Sequence, residues 1–179
     1  MHRFRTCTRT LLCLAAVGIG LTACGNHANS AGGGGHDTAG GGGHSQWPAS
    51  AAGTWGKQPS ITYPASSPPT KLVSYNLING TGATAKLGDT ISVQYVGATY
   101  SLKKVFQASW DSGGPASFPL TVGGLIEGWT DGIPGMKVGG RRELIIPPSL
   151  GYGSSPPSGS GIPAGATLIF IVDLLSVSS

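Results

Sequence analysis

Residues 124–153, GLIEGWTDGIPGMKVGGRRELIIPPSLGYG, contain the signals from which the architecture can be inferred. Ile126, Trp129 and Ile133 recur at intervals of three to four residues, as on one face of an amphipathic helix. The glycines between them lower helix propensity, so a short helix is predicted. The run RRELIIP that follows predicts a strand, and the loop after it presents Tyr152 between two glycines. The stretch therefore predicts a pocket of aromatic and aliphatic side chains with almost no titratable group.

Further strands are predicted on both sides of this stretch. DTISVQYVGATY, residues 89–100, alternates strictly, with Ile91, Val93 and Tyr95 on one face. The nearly continuous apolar run ATLIFIVDLLSV, residues 166–177, predicts a strand in the middle of the sheet. Other strands are predicted within KLVSYNLING (71–80), KKVFQASW (103–110) and SFPLTV (117–122). Strands with hairpin-like links and one short helix indicate the α+β class, with a twisted antiparallel sheet covering the helix.

The N-terminus has the features of a secretory leader. Three arginines precede an apolar run at residues 11–21 that is too short to cross a bilayer as a stable helix. The run ends in LTAC, and these small residues before Cys24 resemble a bacterial lipobox, in which the cysteine is lipidated and the leader is cut just before it. A lipoprotein signal peptide is therefore predicted at residues 1–23, with Cys24 as the lipidation site. The alternative is an ordinary secretory signal with an incidental cysteine.

The cysteine and charge counts are interpreted in the light of this leader. Cys7 and Cys13 lie within it, so the exported chain would have no free thiol and no disulfide. Three of the 11 basic residues also lie within it, which leaves eight Lys and Arg against seven Asp and Glu. Because no basic stripe is present, the composition gives no reason to expect nucleic acid as a partner.

A low-complexity segment follows the predicted leader. From residue 25 to about residue 70 the chain consists largely of Gly, Ser, Ala, Pro and Thr, and GGGGH occurs twice. Such a segment cannot bury enough apolar surface to offset its conformational entropy. We therefore predict a lipidated cysteine and disordered tether at residues 24–70 and a folded domain at residues 71–179. His36 and His44 could be weak metal ligands, but two histidines on a flexible chain are favoured, because no cysteine or ordered carboxylate accompanies them.

The predicted domain lacks the residues that common catalytic mechanisms need. All four histidines, at positions 2, 27, 36 and 44, precede residue 71, so no histidine base is available there. The domain has no metal-ligand cluster and no phosphate-binding lysine motif. Its carboxylates show no spacing informative for paired-carboxylate chemistry: Asp111, Glu127, Asp131 and Glu143. The sequence favours binding, or catalysis without proton transfer, and predicts no cofactor and no metal.

Three blocks in this order resemble the FKBP-type, or tacrolimus-binding, peptidyl-prolyl cis-trans isomerases. They are VFQASW (105–110), the stretch at 124–153 and IPAGATLIFIVDLL (162–175). The likeness covers about residues 71–179 and rests on several blocks at fitting spacings. It implies a half-open twisted antiparallel β-sheet wrapped around one short α-helix, which agrees with the α+β class inferred from the strand and helix patterns.

The resemblance also implies a pocket whose members are spread over the domain. Trp129 matches the tryptophan at the pocket floor, and Leu125 and Ile126 match the aliphatic pair just before it. Tyr152 matches the tyrosine that hydrogen-bonds a bound carbonyl. Taken singly, each aromatic would more often be a core residue, but together in family order they favour a pocket. The implied catalytic positions are Tyr95, Phe106, Ile126, Trp129, Tyr152 and Phe170.

Two implied substrate-binding positions depart from the family pattern. Gln107 stands where the family usually has aspartate, and its neutral amide can still donate and accept hydrogen bonds. Ala116 stands near a position where an aromatic is common, which opens one side of the pocket. Both departures bear on macrolide affinity and on rate rather than on the fold.

The implied activity is peptidyl-prolyl cis-trans isomerisation. The resemblance and the leader together predict a monomeric, lipid-anchored enzyme of the bacterial cell envelope, extracytoplasmic, acting on X-Pro segments of exported proteins and able to take macrolides of the tacrolimus class. Two alternatives stay open: a module that binds proline segments with little turnover, which Gln107 favours, and a general chaperone. The loop at residues 153–162 is too short for the additional domain that some chaperone relatives carry.

Overall fold

The computed structural model describes residues 50–179. The predicted leader, Cys24, His36 and His44 lie outside the described residues. Across the described part of the chain, no helix is long and apolar enough to cross a membrane.

Six antiparallel strands form one sheet. They are β1 (Val73–Ile78), β2 (Thr90–Thr99), β3 (Lys104–Ala108), β4 (Ala116–Pro119), β5 (Arg141–Ile146) and β6 (Leu168–Ser178). Strand β6 lies in the middle of the sheet. The strand order is β1-β5-β6-β2-β3, and β4 pairs with β2 beyond the end of β3. The long apolar strand predicted to be central is therefore central, and the predicted fold class is confirmed.

One short helix, α1 (Glu127–Gly132), packs against β5 on what we call the inner face of the sheet. Its glycines permit this close approach. A Cβ at Gly128 would lie 2.4 Å from Ile146 Cγ2, and one at Gly132 would lie 2.7 Å from Leu144 Cδ2. The residues that shorten the helix are thus the ones that let it reach the sheet. The main hydrophobic core lies between α1 and this face.

The opposite side, which we call the outer face, is covered by residues 50–66, which we call the N-terminal arm. Ile61 and Tyr63 pack over Ile145 and Ile169, which are fully buried although they point away from α1. The sequence predicted a disordered tether up to residue 70, and for the arm this expectation has to be corrected. The few large side chains of the arm are enough to hold it in place, because the sheet provides an apolar surface on which they pack. The composition of the segment itself gives no information about that surface.

Charged residues of the outer face fix the arm at its other end. Arg141 and Asp173 are paired across β5 and β6 in the sheet register and form a buried ion pair, with Nε and Oδ1 2.5 Å apart. Arg141 also donates to the carbonyl oxygens of Ala52 at 2.6 Å and Lys57 at 2.8 Å. The ordered domain therefore already includes residues well before position 71.

Candidate functional site

A cavity of about 680 Å³ opens on the inner face, above α1 and between the loops that follow β4 and β5. Trp129, the third residue of α1, is 4 % exposed and forms the floor of the cavity. The lining residues are Tyr95, Gln107, Phe118, Val122, Gly123, Gly124, Leu125, Ile126, Glu127, Trp129, Ser149, Gly151, Tyr152 and Phe170.

Three aromatic rings surround the Trp129 indole edge-on. The ring centroids of Tyr95 and Phe170 each lie 5.4 Å from that of Trp129, and that of Phe118 lies 5.5 Å away, all at nearly perpendicular planes. Edge-to-face pairs of this kind are favourable and directional, so they hold each ring in one orientation. The floor and walls of the cavity are therefore rigid and apolar.

The alternation of the two central strands places the walls. Tyr95 on β2 and Phe170 on β6 both point to the inner face, where Gly97 is the register partner of Phe170. A Cβ at Gly97 would lie 2.6 Å from Phe170 Cε1 and 2.8 Å from Phe106 Cζ. The absence of a side chain at Gly97 makes the room that these two rings occupy.

A β-bulge in β3 directs two consecutive residues toward the inner face. Ala98 pairs with Val105 and Gly97 pairs with Gln107, so the register shifts by one residue at Phe106. Bulges commonly re-aim side chains beside binding sites. As a result, Gln107 lines the cavity, while Phe106 packs edge-on against Phe170 at 5.7 Å.

The structure brings most of the predicted site residues together, with two differences. Tyr95, Leu125, Ile126, Trp129, Tyr152, Phe170 and Gln107 all line the cavity. Phe106 instead supports Phe170 from behind. Ala116 is part of β4 and packs against the core without lining the cavity.

Phe118 is the wall residue that the sequence analysis missed. It lies two residues after Ala116 on the same face of β4, 6.0 Å from the Tyr95 ring centroid and 5.5 Å from that of Trp129. The period of two within the predicted strand SFPLTV could have identified it. Phe118 supplies an aromatic to the side of the cavity that Ala116 was expected to leave open.

Two phenolic hydroxyls are among the polar groups at the cavity. Burial raises the pKa of Tyr152. The pKa of Tyr95 is also raised, mainly by burial and to a smaller extent by electrostatic interaction with Tyr152. Both hydroxyls therefore stay protonated at neutral pH and can donate hydrogen bonds. The indole Nε1 of Trp129 is buried and has no hydrogen-bond partner in residues 50–179.

Charged groups are scarce around this cavity. Glu127 is the single carboxylate among its lining residues and is exposed to solvent. In the described part of the chain, no three His, Cys, Asp or Glu residues are grouped as they would be to hold a metal ion. The geometry suits a ligand held by apolar contact and by a few hydrogen bonds from neutral donors.

Rigid aromatic walls over a helix, on the inner face of an open antiparallel sheet, define an α+β binding domain whose cavity contains no acid–base pair. The model of the FKBP-type peptidyl-prolyl cis-trans isomerases matches residues 82–175. The chain belongs to this family, and it is a peptidyl-prolyl cis-trans isomerase.

Two relatives that are matched over almost their whole length support this assignment. An FK506-binding protein of Streptomyces anulatus is 46% identical over 121 residues, which are 68% of this chain and 98% of that protein. A probable FK506-binding protein of Corynebacterium glutamicum is 49% identical over 121 residues, 67% of this chain and 98% of that one.

Solved structures show the same fold. The crystal structure of FkpA from Escherichia coli has a TM-score of 0.54 at 42% identity and covers 60% of this chain. The matched part is 48% of FkpA, about half of that protein. The crystal structure of AtFKBP13 has a TM-score of 0.55 at 34% identity, covering 62% of this chain and 96% of that one.

Proposed function

We propose that this isomerase acts on X-Pro bonds of exported proteins at the bacterial cell envelope, held to the membrane as a monomer by a lipid on Cys24. The observation that carries the proposed chemistry is the Trp129 indole enclosed by three aromatic rings, with no acid–base pair at the cavity. Support for the location comes from the leader and the LTAC sequence at residues 21–24.

Rotation about an X-Pro bond is slow because amide resonance must be broken, with a barrier of about 18–20 kcal/mol. The twisted amide has lost part of its charge separation, so a dry apolar cavity suits it better than the planar, more polar amide. Binding the twisted form more tightly than the planar forms accelerates rotation without a covalent step.

Individual residues take distinct roles in this proposal. The proline ring would lie against Trp129, between Phe170 and Ile126. The hydroxyl of Tyr152 and the backbone N–H of Ile126 would donate to the carbonyl groups on either side of the ring. Phe106 would act through Phe170, because it supports that ring rather than lining the cavity.

The test is the cis-to-trans conversion of a short X-Pro peptide by the purified full chain. Trp129→Leu should lower kcat/KM by at least about tenfold, since it removes the floor and its ring contacts. Trp110→Leu is the matched control, because Trp110 packs on the other side of the sheet beside Val96 and Ile171. Equal losses in the two variants would contradict the proposed site.

The location is tested separately by cell fractionation. Wild-type protein should sediment with membranes, and Cys24→Ala should release it. A soluble wild-type protein would overturn the anchoring proposal without affecting the isomerase mechanism.

A second candidate function is binding of proline segments or macrolides with little turnover. The cavity position of Gln107, with its neutral and exposed amide, favours this possibility. The names of the Streptomyces and Corynebacterium relatives support a ligand of the FK506 type for this cavity.

A further inference from the structure

The outer face of the sheet forms hydrogen bonds with main-chain groups of the arm. Arg141 donates to the carbonyls of Ala52 and Lys57. The Tyr100 hydroxyl lies within hydrogen-bond distance of the carbonyl oxygens of Ser66, at 2.6 Å, and Pro64, at 3.0 Å. Glu143 accepts the backbone N–H of Ser50 at 2.9 Å. Most of these contacts are made to main-chain groups, as expected of a surface that recognises a peptide. The Ser50 hydroxyl adds a side-chain contact, because it donates to the Glu143 carboxylate at 2.5 Å.

Apolar contacts complete the recognition. Ile61 of the arm contacts two groups of buried side chains, one around Ile145 and Ile169 and the other around Val96 and Ile171. Tyr63 joins the first group. The outer face thus combines a charged end that binds backbone groups with an apolar end that binds two alternating side chains.

The receptor side chains are held in place by the sheet itself. Asp173 fixes the Arg141 guanidinium from the neighbouring strand through both carboxylate oxygens. The arm contributes no strand to the sheet, and the main core includes no arm residue. The main core between α1 and the inner face is therefore formed without the arm, and Arg141 is held in place by Asp173 of the neighbouring strand.

We propose that the outer face is a peptide-binding site, distinct from the prolyl cavity, which residues 50–66 occupy in cis as an exchangeable ligand. The site takes a segment with a small hydroxyl residue at the charged end and an Ile-x-Tyr pair at the apolar end. This inference does not depend on the proposed substrates or location. Occupation in cis keeps the apolar surface of the outer face covered by residues 50–66.

The test separates the arm from the domain in the full chain. A protease recognition sequence is placed at residues 67–71, the purified chain is cut, and a fluorescent synthetic peptide of residues 50–66 is added. We expect one labelled peptide to exchange into each domain. Fluorescence anisotropy measures this exchange. Isomerase activity on a short X-Pro peptide should stay within about twofold of the uncut chain, because the cavity lies on the other face.

Variants identify the site. A Ser50→Ala peptide should bind about tenfold or more weakly, the value of a hydrogen bond to a charged group. A Ser60→Ala peptide is the matched control and should bind like the wild type, because Ser60 is exposed. In the domain, Tyr100→Phe should weaken binding by a few fold while leaving the ring in place.

Three results would overturn the proposal. The labelled peptide could fail to bind, its binding could be displaced by a ligand of the prolyl cavity, or the cut domain could lose its near-ultraviolet circular dichroism together with the arm. The last result would make the arm an obligatory part of the fold. If the peptide exchanges normally but the protein has no isomerase activity, the proposed chemistry is contradicted, whereas the proposed peptide-binding site on the outer face is supported.

Discussion

Ser50 donates both its backbone N–H and its hydroxyl to the carboxylate of Glu143, at 2.9 Å and 2.5 Å, across 93 residues of sequence. Both residues are buried, at 2 % exposure each. Ser50 Oγ in turn accepts the backbone N–H of Thr62 at 2.9 Å, so the arm folds back on itself at this point. A segment whose sequence predicts a flexible tether is therefore attached to Glu143 of the sheet.

Removal of the arm should destabilise the domain without unfolding it. A chain that begins at residue 71 exposes Ile145, Ile169 and Ile171, which are fully buried when the arm is present. Partial exposure of large aliphatic side chains predicts a loss on the order of 3 kcal/mol in the free energy of unfolding. Urea titration of the truncated and full chains measures it, and a chain lacking residues 25–45 is the control. Equal midpoints for all three would show that the arm contributes nothing.

The Ser50–Glu143 contact should make stability depend on pH. Burial raises the pKa of Glu143, and the two hydrogen bonds from Ser50 offset this in part. A raised pKa means that the folded state binds the proton more tightly than the unfolded state. The contribution of Glu143 is therefore largest below its ordinary pKa of 4.5 and is lost as the pH rises through the higher folded value.

Glu143→Gln tests this dependence, because glutamine keeps the shape and cannot titrate. The difference in unfolding free energy between wild type and Glu143→Gln should shift in favour of the variant between about pH 4 and pH 7. The Arg141–Asp173 ion pair on the same face of the sheet is unchanged in both proteins. Parallel stability curves over this range would contradict the assigned burial of the Glu143 charge.

Gly97 should be intolerant of a side chain because the rings of Phe170 and Phe106 occupy the space where its Cβ would lie. Gly97→Ala would place a methyl group 2.6 Å from Phe170 and 2.8 Å from Phe106, so both rings must move. Overpacking typically costs 1–3 kcal/mol, and we expect kcat/KM to fall by about tenfold. Adding Phe106→Leu should restore part of the activity by making room. A fully active Gly97→Ala variant would show that ring position is not critical.

Much of the fold could be predicted from local patterns. The alternation around Tyr95, the apolar run around Phe170 and the spacing of Ile126 and Trp129 each specify one element and its inward face. These are properties of short windows, which is why the fold class and the central strand were predicted correctly.

The features that were missed depend on contacts between distant residues. The arm could not be predicted because its apolar partners, such as Ile169, lie about 100 residues later in the chain. The bulge at Phe106 adds one residue to β3 and so determines which side chains reach the cavity. It could not be predicted because the sequence of the strand contains no local signal for a bulge. The period-two alternation of β4 could have predicted that Phe118 faces the cavity, whereas the family resemblance implied Ala116 at this wall.

The Tyr152 hydroxyl should contribute a modest amount to activity at every pH near neutrality. Burial raises the pKa of Tyr152, so its hydroxyl remains a donor through about pH 9. Tyr152→Phe keeps the ring and should lower kcat/KM by about two- to tenfold, the value of one neutral hydrogen bond. The pH–rate profiles of wild type and variant should both be flat from about pH 6 to pH 9. A fall in wild-type activity within that range would indicate a titrating catalytic group.

Gln107→Asp distinguishes an efficient enzyme from a binding module. The side chain is exposed at the cavity, beside a wall that includes Tyr95. A carboxylate there can accept hydrogen bonds more strongly than an amide, although solvent weakens the effect. We expect a two- to tenfold gain in macrolide affinity, with a similar gain in kcat/KM if the carboxylate also orients the aromatic rings.

The measurement compares wild type, Gln107→Asp and Gln58→Asp, which makes the same change on the arm and should behave as wild type. Isomerisation of a short X-Pro peptide and binding of a macrolide are followed in parallel. If wild type accelerates the reaction and Gln107→Asp increases the rate further, the neutral side chain limits an enzyme that is already active. If wild type binds the macrolide but shows no rate above background, whereas Gln107→Asp does, then Gln107 has converted the isomerase frame into a binding module, because the walls around Trp129 are the same in both.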